Sequence, residues 1–141
     1  MRRLIRGNWL PVTERAKYSG PAVYAVRMLK RGRVVRIPRF LGIDPEGILT
    51  IGMTQSLEQR RRRFVAGYSR GHGHSAGNLL FPLLHGKLKS VAFELAFRPV
   101  NSAKIARESE AELTHQYWSR YGEAPPLTSA FAARYAHFRD G

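Results

Sequence analysis

Residues 91–98 constrain the architecture of this chain more than any other stretch. Val91, Phe93, Leu95 and Phe97 alternate with Ala92, Glu94, Ala96 and Arg98, the period-two pattern of a half-buried strand. A few residues later the period changes, and from roughly Ser102 to Tyr121 the apolar positions recur at helical spacing. A chain that carries both patterns side by side needs a sheet with helices packed on it. Ala22–Val26 and Ile48–Gly52 read as further short apolar strands. Val34 to Leu41 is strand-like but interrupted by Pro38, which suits an edge or a loop. Turn chemistry marks Gly20-Pro21, Lys30-Arg31-Gly32-Arg33 and Asp44-Pro45-Glu46-Gly47. Ser56-Leu57-Glu58-Gln59 has the spacing of a capping box, which opens a helix through about Gly67. A second helix is expected from Ser75 to His85, and the long one from Ser102 ends before Gly122-Glu123-Ala124-Pro125-Pro126. A short C-terminal helix would carry Phe131, Tyr135 and Phe138. The pattern predicts an α+β fold with a short, mainly antiparallel sheet of about three strands flanked by helices.

At 141 residues the chain suits one domain. The expected organisation is a basic arm over 1–19, the domain proper over 20–129, and 130–141 as its C-terminal extension. The absence of cysteine excludes a disulfide framework, a Cys-ligated metal and thiol catalysis. No apolar run reaches the roughly 18 residues of a membrane span, and Met1–Leu10 lacks the apolar core of a signal peptide. A cytoplasmic protein without a membrane partner is the expectation. The formal net charge is +14, and it is unevenly placed. Residues 1–70 carry 16 Lys and Arg against 4 Asp and Glu, whereas residues 71–141 carry 8 against 6. Of the 24 basic residues 19 are Arg, whose planar donor fork matches phosphate oxygens in a way Lys cannot. A polyanion, and so a nucleic acid, is the expected partner.

One residue of the long helix is out of place. At roughly 100° per residue, Ala106, Glu110, Leu113, Tyr117 and Tyr121 share a stripe, while Glu108 and Glu112 fall on the far side. Glu110 therefore puts a carboxylate into the core-facing row, where it must meet a cation, a metal or a row of donors. In the preceding capped helix Leu57, Phe64 and Tyr68 define the inward face, with Arg61 close to that stripe and Arg60 on its flank. An Arg at such a boundary can clamp a phosphate or pair with Glu110. Arg62 and Arg63 point toward solvent as a phosphate-binding or merely solvated face. Alternation does not decide on which side of its strand Tyr24 lies.

These pieces, in this order, resemble the GIY-YIG nuclease family. Ala22-Val23-Tyr24 is similar to the first signature without its Gly, and Thr50-Ile51-Gly52-Met53-Thr54 to the second. Arg60 follows Thr50 by ten residues, Glu110-Ala111-Glu112-Leu113 matches the helix with the single Glu, and Pro125-Pro126-Leu127-Thr128 resembles the closing Pro-Pro-Leu-Asn. The resemblance covers Gly20 to about Ser129. It departs from the pattern at Thr50, where a Tyr is expected, at Thr128, where an Asn is expected, and at Phe64, where some members have a His. The separation of the two signatures is also long, with a basic, Pro-containing insertion between Lys30 and Gly47.

The resemblance implies a metal-dependent endonuclease acting on DNA in preference to RNA. Glu110 would then hold one divalent cation, Mg²⁺ or Mn²⁺, Arg60 would clamp the scissile phosphate, and Tyr24 would orient or deprotonate the attacking water. Thr50 takes the second signature position and keeps a hydroxyl without the reach or acidity of a phenol. Gly52, Arg61, Arg62, Arg63 and Thr128 are the accompanying substrate-binding candidates. His72 and His74, in Gly71-His72-Gly73-His74, are candidates for a base because imidazole titrates near neutrality. A binding module on the same fold, or an unrelated basic RNA-associated protein in which Glu110 pairs with an Arg, are the competing expectations.

Overall fold

The computed structural model describes residues 4–84 and 90–128. Five strands form an antiparallel sheet around β2 (Ala22–Lys30). One flank of β2 is covered along its whole length by β7 (Val91–Pro99), from Ala22 opposite Pro99 to Lys30 opposite Val91. It also pairs with β6 (Ile48–Thr54), through Tyr24 opposite Gly52 and Val26 opposite Thr50. Two-residue strands extend this core: β1 (Leu10–Pro11) pairs with β7, and β3 (Arg33–Val34) closes a hairpin on the end of β2. The expected three strands are thus β2, β6 and β7. A separate hairpin of β4 (Ile37–Arg39) and β5 (Gly42–Asp44) occupies the long basic segment.

Helices cover both faces because successive strand residues point to opposite sides. Ala22, Tyr24 and Val26, with Phe93 and Leu95, pack against Leu57 and Phe64 of α1 (Leu57–Arg70) and Ala76 and Leu80 of α2 (Ser75–Leu84). Val23, Ala25, Ile51 and Ala96 pack against Leu113, Tyr117 and Tyr121 of α3 (Ala103–Tyr121). The second face of β7 is therefore covered at Ala96 rather than open to water, and Glu94 on that face is held by Arg27 at 2.7 Å. The fold is α+β, and no described helix is long and apolar enough to cross a membrane.

Some local expectations change. The capping box does not form: Ser56 is the N-cap of α1 without a side-chain bond, and Thr54 Oγ1 instead accepts the Ser56 amide at 3.1 Å. The helix passes Gly67 and stops at Gly71, whose φ of 79° ends it. Ser102 does cap α3, accepting from the Ile105 amide at 3.2 Å. Residues 4–19 are part of the domain rather than an arm outside it, since Leu4, Ile5, Val12 and Ala16 are buried. The Asp44–Gly47 turn is built on a buried carboxylate: Asp44 accepts from the amides of Glu46, Gly47 and Ile48 and from the Tyr117 hydroxyl at 3.0 Å. Burial, reinforced by the Asp44 charge, pushes the Tyr117 phenol far above its ordinary value. The end of the second helix at His85 and the C-terminal helix with Phe131, Tyr135 and Phe138 lie outside the described residues.

Candidate active site

Glu110 is buried, with 4% of its surface exposed, in the row formed by Ala106, Leu113, Tyr117 and Tyr121. Glu108 and Glu112 are exposed on the opposite side, as the period requires. The carboxylate lines a cavity of about 240 Å³ at the β6 side of the sheet. Tyr24 of β2, Thr50 and Gly52 of β6, Arg60 of α1 and His74 line the same cavity, and Thr128 lines it too. Glu110 is the one carboxylate among these lining residues, and Arg60 the one permanent cation.

The cavity lies at β6, which pairs with β2 alone, and brings together residues of both faces at the glycine of that strand. Gly52 faces Tyr24 across the ladder, and a Cβ there would lie 2.5 Å from the Tyr24 hydroxyl oxygen and 2.6 Å from Cζ. Only a residue without a side chain lets the phenol lie against β6. Arg60 then reaches it from α1. Its Nη1 donates to Tyr24 Oη at 3.0 Å, to His74 Nε2 at 2.9 Å and to the Met53 carbonyl at 3.4 Å.

His74 comes from the loop after α1, fixed by its amide to the Arg63 carbonyl at 3.1 Å and by its carbonyl to the Asn78 amide at 3.0 Å. A guanidinium only donates, so Nε2 accepts and the ring proton sits on Nδ1. Nδ1 is buried and meets no acceptor among the described residues. Burial, then the charges of Arg60 and Arg63, lowers the His74 pKa to about 4, so the ring is neutral at pH 7. Thr128 Oγ1 is also buried and without a hydrogen-bond partner among the described residues.

No family model, no curated protein and no solved structure matches this chain. The chemistry is therefore read from the cavity. Its oxygen donors are one carboxylate and the hydroxyls of Tyr24, Thr50, Ser75 and Thr128, and the lone pair of its one imidazole, His74, is taken by Arg60. No group of three or more His, Asp or Glu able to hold a metal occurs among the described residues. Such a set fits a Mg²⁺-like ion that keeps most of its waters, with Glu110 as the protein carboxylate, and it does not fit Zn²⁺. Size alone does not select the site. A larger open cleft of about 830 Å³, between the N-terminal segment, β7 and α3, contains Arg6, Arg98 and Arg120 and shares no residue with this cavity.

The other sequence candidates lie elsewhere. His72 is exposed and outside the cavity. Arg61 is not available to a substrate. Its guanidinium is buried against Glu58, Nε to Oε1 at 2.8 Å and Nη2 to Oε2 at 2.5 Å, and Nη1 donates to the Val12 carbonyl at 2.7 Å. It pairs with Glu58 and not with Glu110, and its hydrogen bond holds the Glu58 carboxyl down at about 2. Arg62, with 68% of its side chain exposed, and Arg63 lie on the outer face of α1. Glu58 and the Met53 carbonyl were not among the sequence candidates. The i, i+3 spacing of Glu58 and Arg61 is the signal that could have exposed the first, whereas a backbone carbonyl leaves none.

Proposed function

We propose that this protein is a metal-dependent endonuclease of the GIY-YIG type that hydrolyses phosphodiester bonds of DNA. The observation that carries this reading is the meeting of Tyr24, Arg60, His74 and Glu110 in one cavity. They come from a strand, two helices and a loop, and the hydroxyl residues Thr50, Ser75 and Thr128 line the cavity beside them. Hydrolysis forms a P–O bond from water, breaks the bond to the 3′ oxygen and returns one proton to that oxygen. Arg60 would bind the scissile phosphate through Nε and Nη2, which make no bond among the described residues while Nη1 anchors the side chain. His74 holds that anchor. Its Nε2 lone pair is taken by Arg60, so it orients the guanidinium rather than accepting the water's proton. Tyr24, whose oxygen already accepts from Arg60, is the hydroxyl placed to orient or deprotonate the water. Glu110, with neighbouring hydroxyls, would hold one Mg²⁺ or Mn²⁺, which when bound supplies charge stabilisation at the leaving oxygen.

One feature favours a second reading, a DNA-binding module with lost chemistry. Thr50, opposite Val26 in the ladder and buried, supplies a hydroxyl but no phenol. Purified protein incubated with supercoiled plasmid, and in parallel with RNA, separates the two. The first reading expects nicking with Mg²⁺ or Mn²⁺ that stops in EDTA and is reduced at least about 100-fold in Glu110→Gln and Arg60→Ala, both still folded. Salt-sensitive binding without cleavage in any of these metals would establish the second, and gain of cleavage in Thr50→Tyr would show what was lost. Equal activity in wild type and both variants would refute the site.

A further inference from the structure

The β4–β5 hairpin ends in a tip that breaks the chemistry of its own turn. Arg39 pairs with Gly42, so Phe40 and Leu41 are the two loop residues. Two-residue hairpin loops favour Asn, Asp and Gly. Here both positions are large and apolar, and Phe40 is 79% and Leu41 61% exposed. The tip is nevertheless held from behind. The Phe40 amide donates to Glu123 Oε2 at 2.6 Å, the Leu41 amide to the Tyr121 carbonyl at 2.9 Å, and Arg39 Nη1 to the Ala124 carbonyl at 3.0 Å. The inner edges of Phe40 and Leu41 rest on Gly122, where φ is 74° and a Cβ would come within 2.8 Å of Leu41. A surface of one aromatic ring and one leucine is thereby presented outward.

The segment that carries the tip points to its occupant. Residues 30–42 contain Lys30, Arg31, Arg33, Arg36 and Arg39 and no acid, and all but Arg39 are exposed. Glu123, at the tip itself, is bound to the Phe40 amide and lies 3.7 Å from Arg39. A second copy of the chain fits poorly. With Ile43 of the same hairpin, 51% exposed, the apolar residues expose on the order of 350 Å², against about 800 Å² per partner in a stable interface, and a twofold axis would face the same arginines toward one another. A base flanked by phosphates fits both properties, since its π-face stacks on an aromatic ring while the backbone meets the cations. A short stretch of chain joins the tip to the cavity. Ala124, which holds Arg39, is three residues before Leu127, which lines the cavity and donates its amide to the Leu49 carbonyl at 2.8 Å.

We propose that Phe40 and Leu41 form a stacking platform for an unpaired nucleobase, with Arg36 and its neighbours on the flanking phosphates. The proposal rests on the nucleic-acid partner of the preceding section but not on cleavage. It is therefore tested in EDTA, by fluorescence anisotropy of the full chain with a labelled single-stranded 20-mer and with a duplex containing one unpaired base. Phe40→Ala should weaken both complexes roughly 5- to 100-fold without changing the dependence of log Kd on log salt. Phe40→Trp should restore binding, and Arg36→Ala should reduce the salt slope by about one. Melting curves of the variants should match wild type. Affinity within twofold of wild type in Phe40→Ala would overturn the platform, as would wild-type protein that binds neither oligonucleotide. So would a wild-type dimer that Phe40→Ala converts to monomer, or a Phe40→Ala defect seen only on phosphatidylserine vesicles. Binding with the expected defect but no cleavage would leave the platform standing and remove the endonuclease.

Discussion

Gly52→Ala should disable the site without removing any of its functional groups. A Cβ at position 52 would lie 2.5 Å from Tyr24 Oη, 2.6 Å from Cζ and 2.9 Å from Cε1. Ordinary carbon contacts are about 3.5–4.0 Å, so the phenol must retreat by about 1 Å. Tyr24 is 2% exposed and packed with Val26, Leu57 and Phe64, which leaves little room. Overpacking of this kind costs about 1–3 kcal/mol. The same retreat breaks the 3.0 Å bond from Arg60, a charge-assisted bond that contributes about 1.5–3 kcal/mol. Because the two losses share one displacement they do not add fully, and a total of about 2–4 kcal/mol is expected. Equilibrium urea unfolding measures it. In a Tyr24→Ala background the new methyl enters vacated space, and Gly52→Ala should be neutral or slightly stabilising, since Ala loses less chain entropy than Gly. If the protein cleaves DNA, a 1 Å misplacement of Tyr24 should also lower the rate about 100-fold. A cost below about 0.5 kcal/mol, or the same cost in both backgrounds, would refute the claim that Tyr24 requires this glycine.

Two further outcomes follow from the buried titratable groups. His74 titrates near 6.5 when unfolded and at about 4 in the fold, so the unfolded chain binds its proton first. Its contribution is intact at pH 7 and is lost as pH falls from about 6.5 to 4, on the order of 1–2 kcal/mol after solvent screening. Urea titrations at pH 7 and pH 5 should show that loss in wild type and a smaller one in His74→Gln; equal losses would remove His74 from the pH response. Glu58, held at about 2, acts in a lower window: its stabilisation is present above about 4.5 and lost as pH falls toward 2. Arg61→Ala leaves the buried Glu58 carboxylate only the Ala16 amide at 2.9 Å and the exposed Arg62 at 3.8 Å and should cost about 2–4 kcal/mol, whereas Arg62→Ala should cost less than about 0.5 kcal/mol. Similar costs for the two variants by thermal or urea unfolding would contradict the burial of the Arg61–Glu58 pair.

The parts of this fold that are legible in the sequence are those with an extended period. The alternation from Val91 to Phe97 and the stripe through Glu110 each repeat often enough to show which face turns inward: Phe93 and Leu95 of the first are buried with Val91 and Phe97 half-buried, the whole of the second is buried, and the exception is Ala96, buried on the other face of β7 beneath α3. Tyr24 illustrates the opposite case. Ala22–Val26 is apolar at every position because both faces of β2 are covered, so nothing in the composition separates its sides. Two-residue strands such as β1 have no period at all, and the N-terminal segment therefore reads as an arm although it supplies buried residues. The two histidines of the glycine-rich loop are equivalent in sequence. The crossing of the loop over α1 distinguishes them, tying His74 to the Arg63 carbonyl and leaving His72 exposed. Ser56 met the requirements of a cap in residue type and spacing, but an earlier hydroxyl, Thr54, bonded its backbone first.

The run Arg60-Arg61-Arg62-Arg63 shows why net charge is a weaker guide to function than the angle at which each charge leaves its helix. Four consecutive residues at roughly 100° per step sweep almost the whole circumference of α1. One therefore had to face the β2–β6 ladder, one the N-terminal segment and two the solvent, whatever their identity. Arg60 meets Tyr24, His74 and an open cavity. Arg61 meets Glu58 and becomes part of the core. Only Arg62 and Arg63 add to a field that a polyanion would feel, and that field is nonspecific. A basic run thus contributes a single residue to the candidate chemistry. That residue is singled out by its neighbours, because three acceptors converge on one nitrogen of Arg60 and leave the rest of its donor fork for a phosphate.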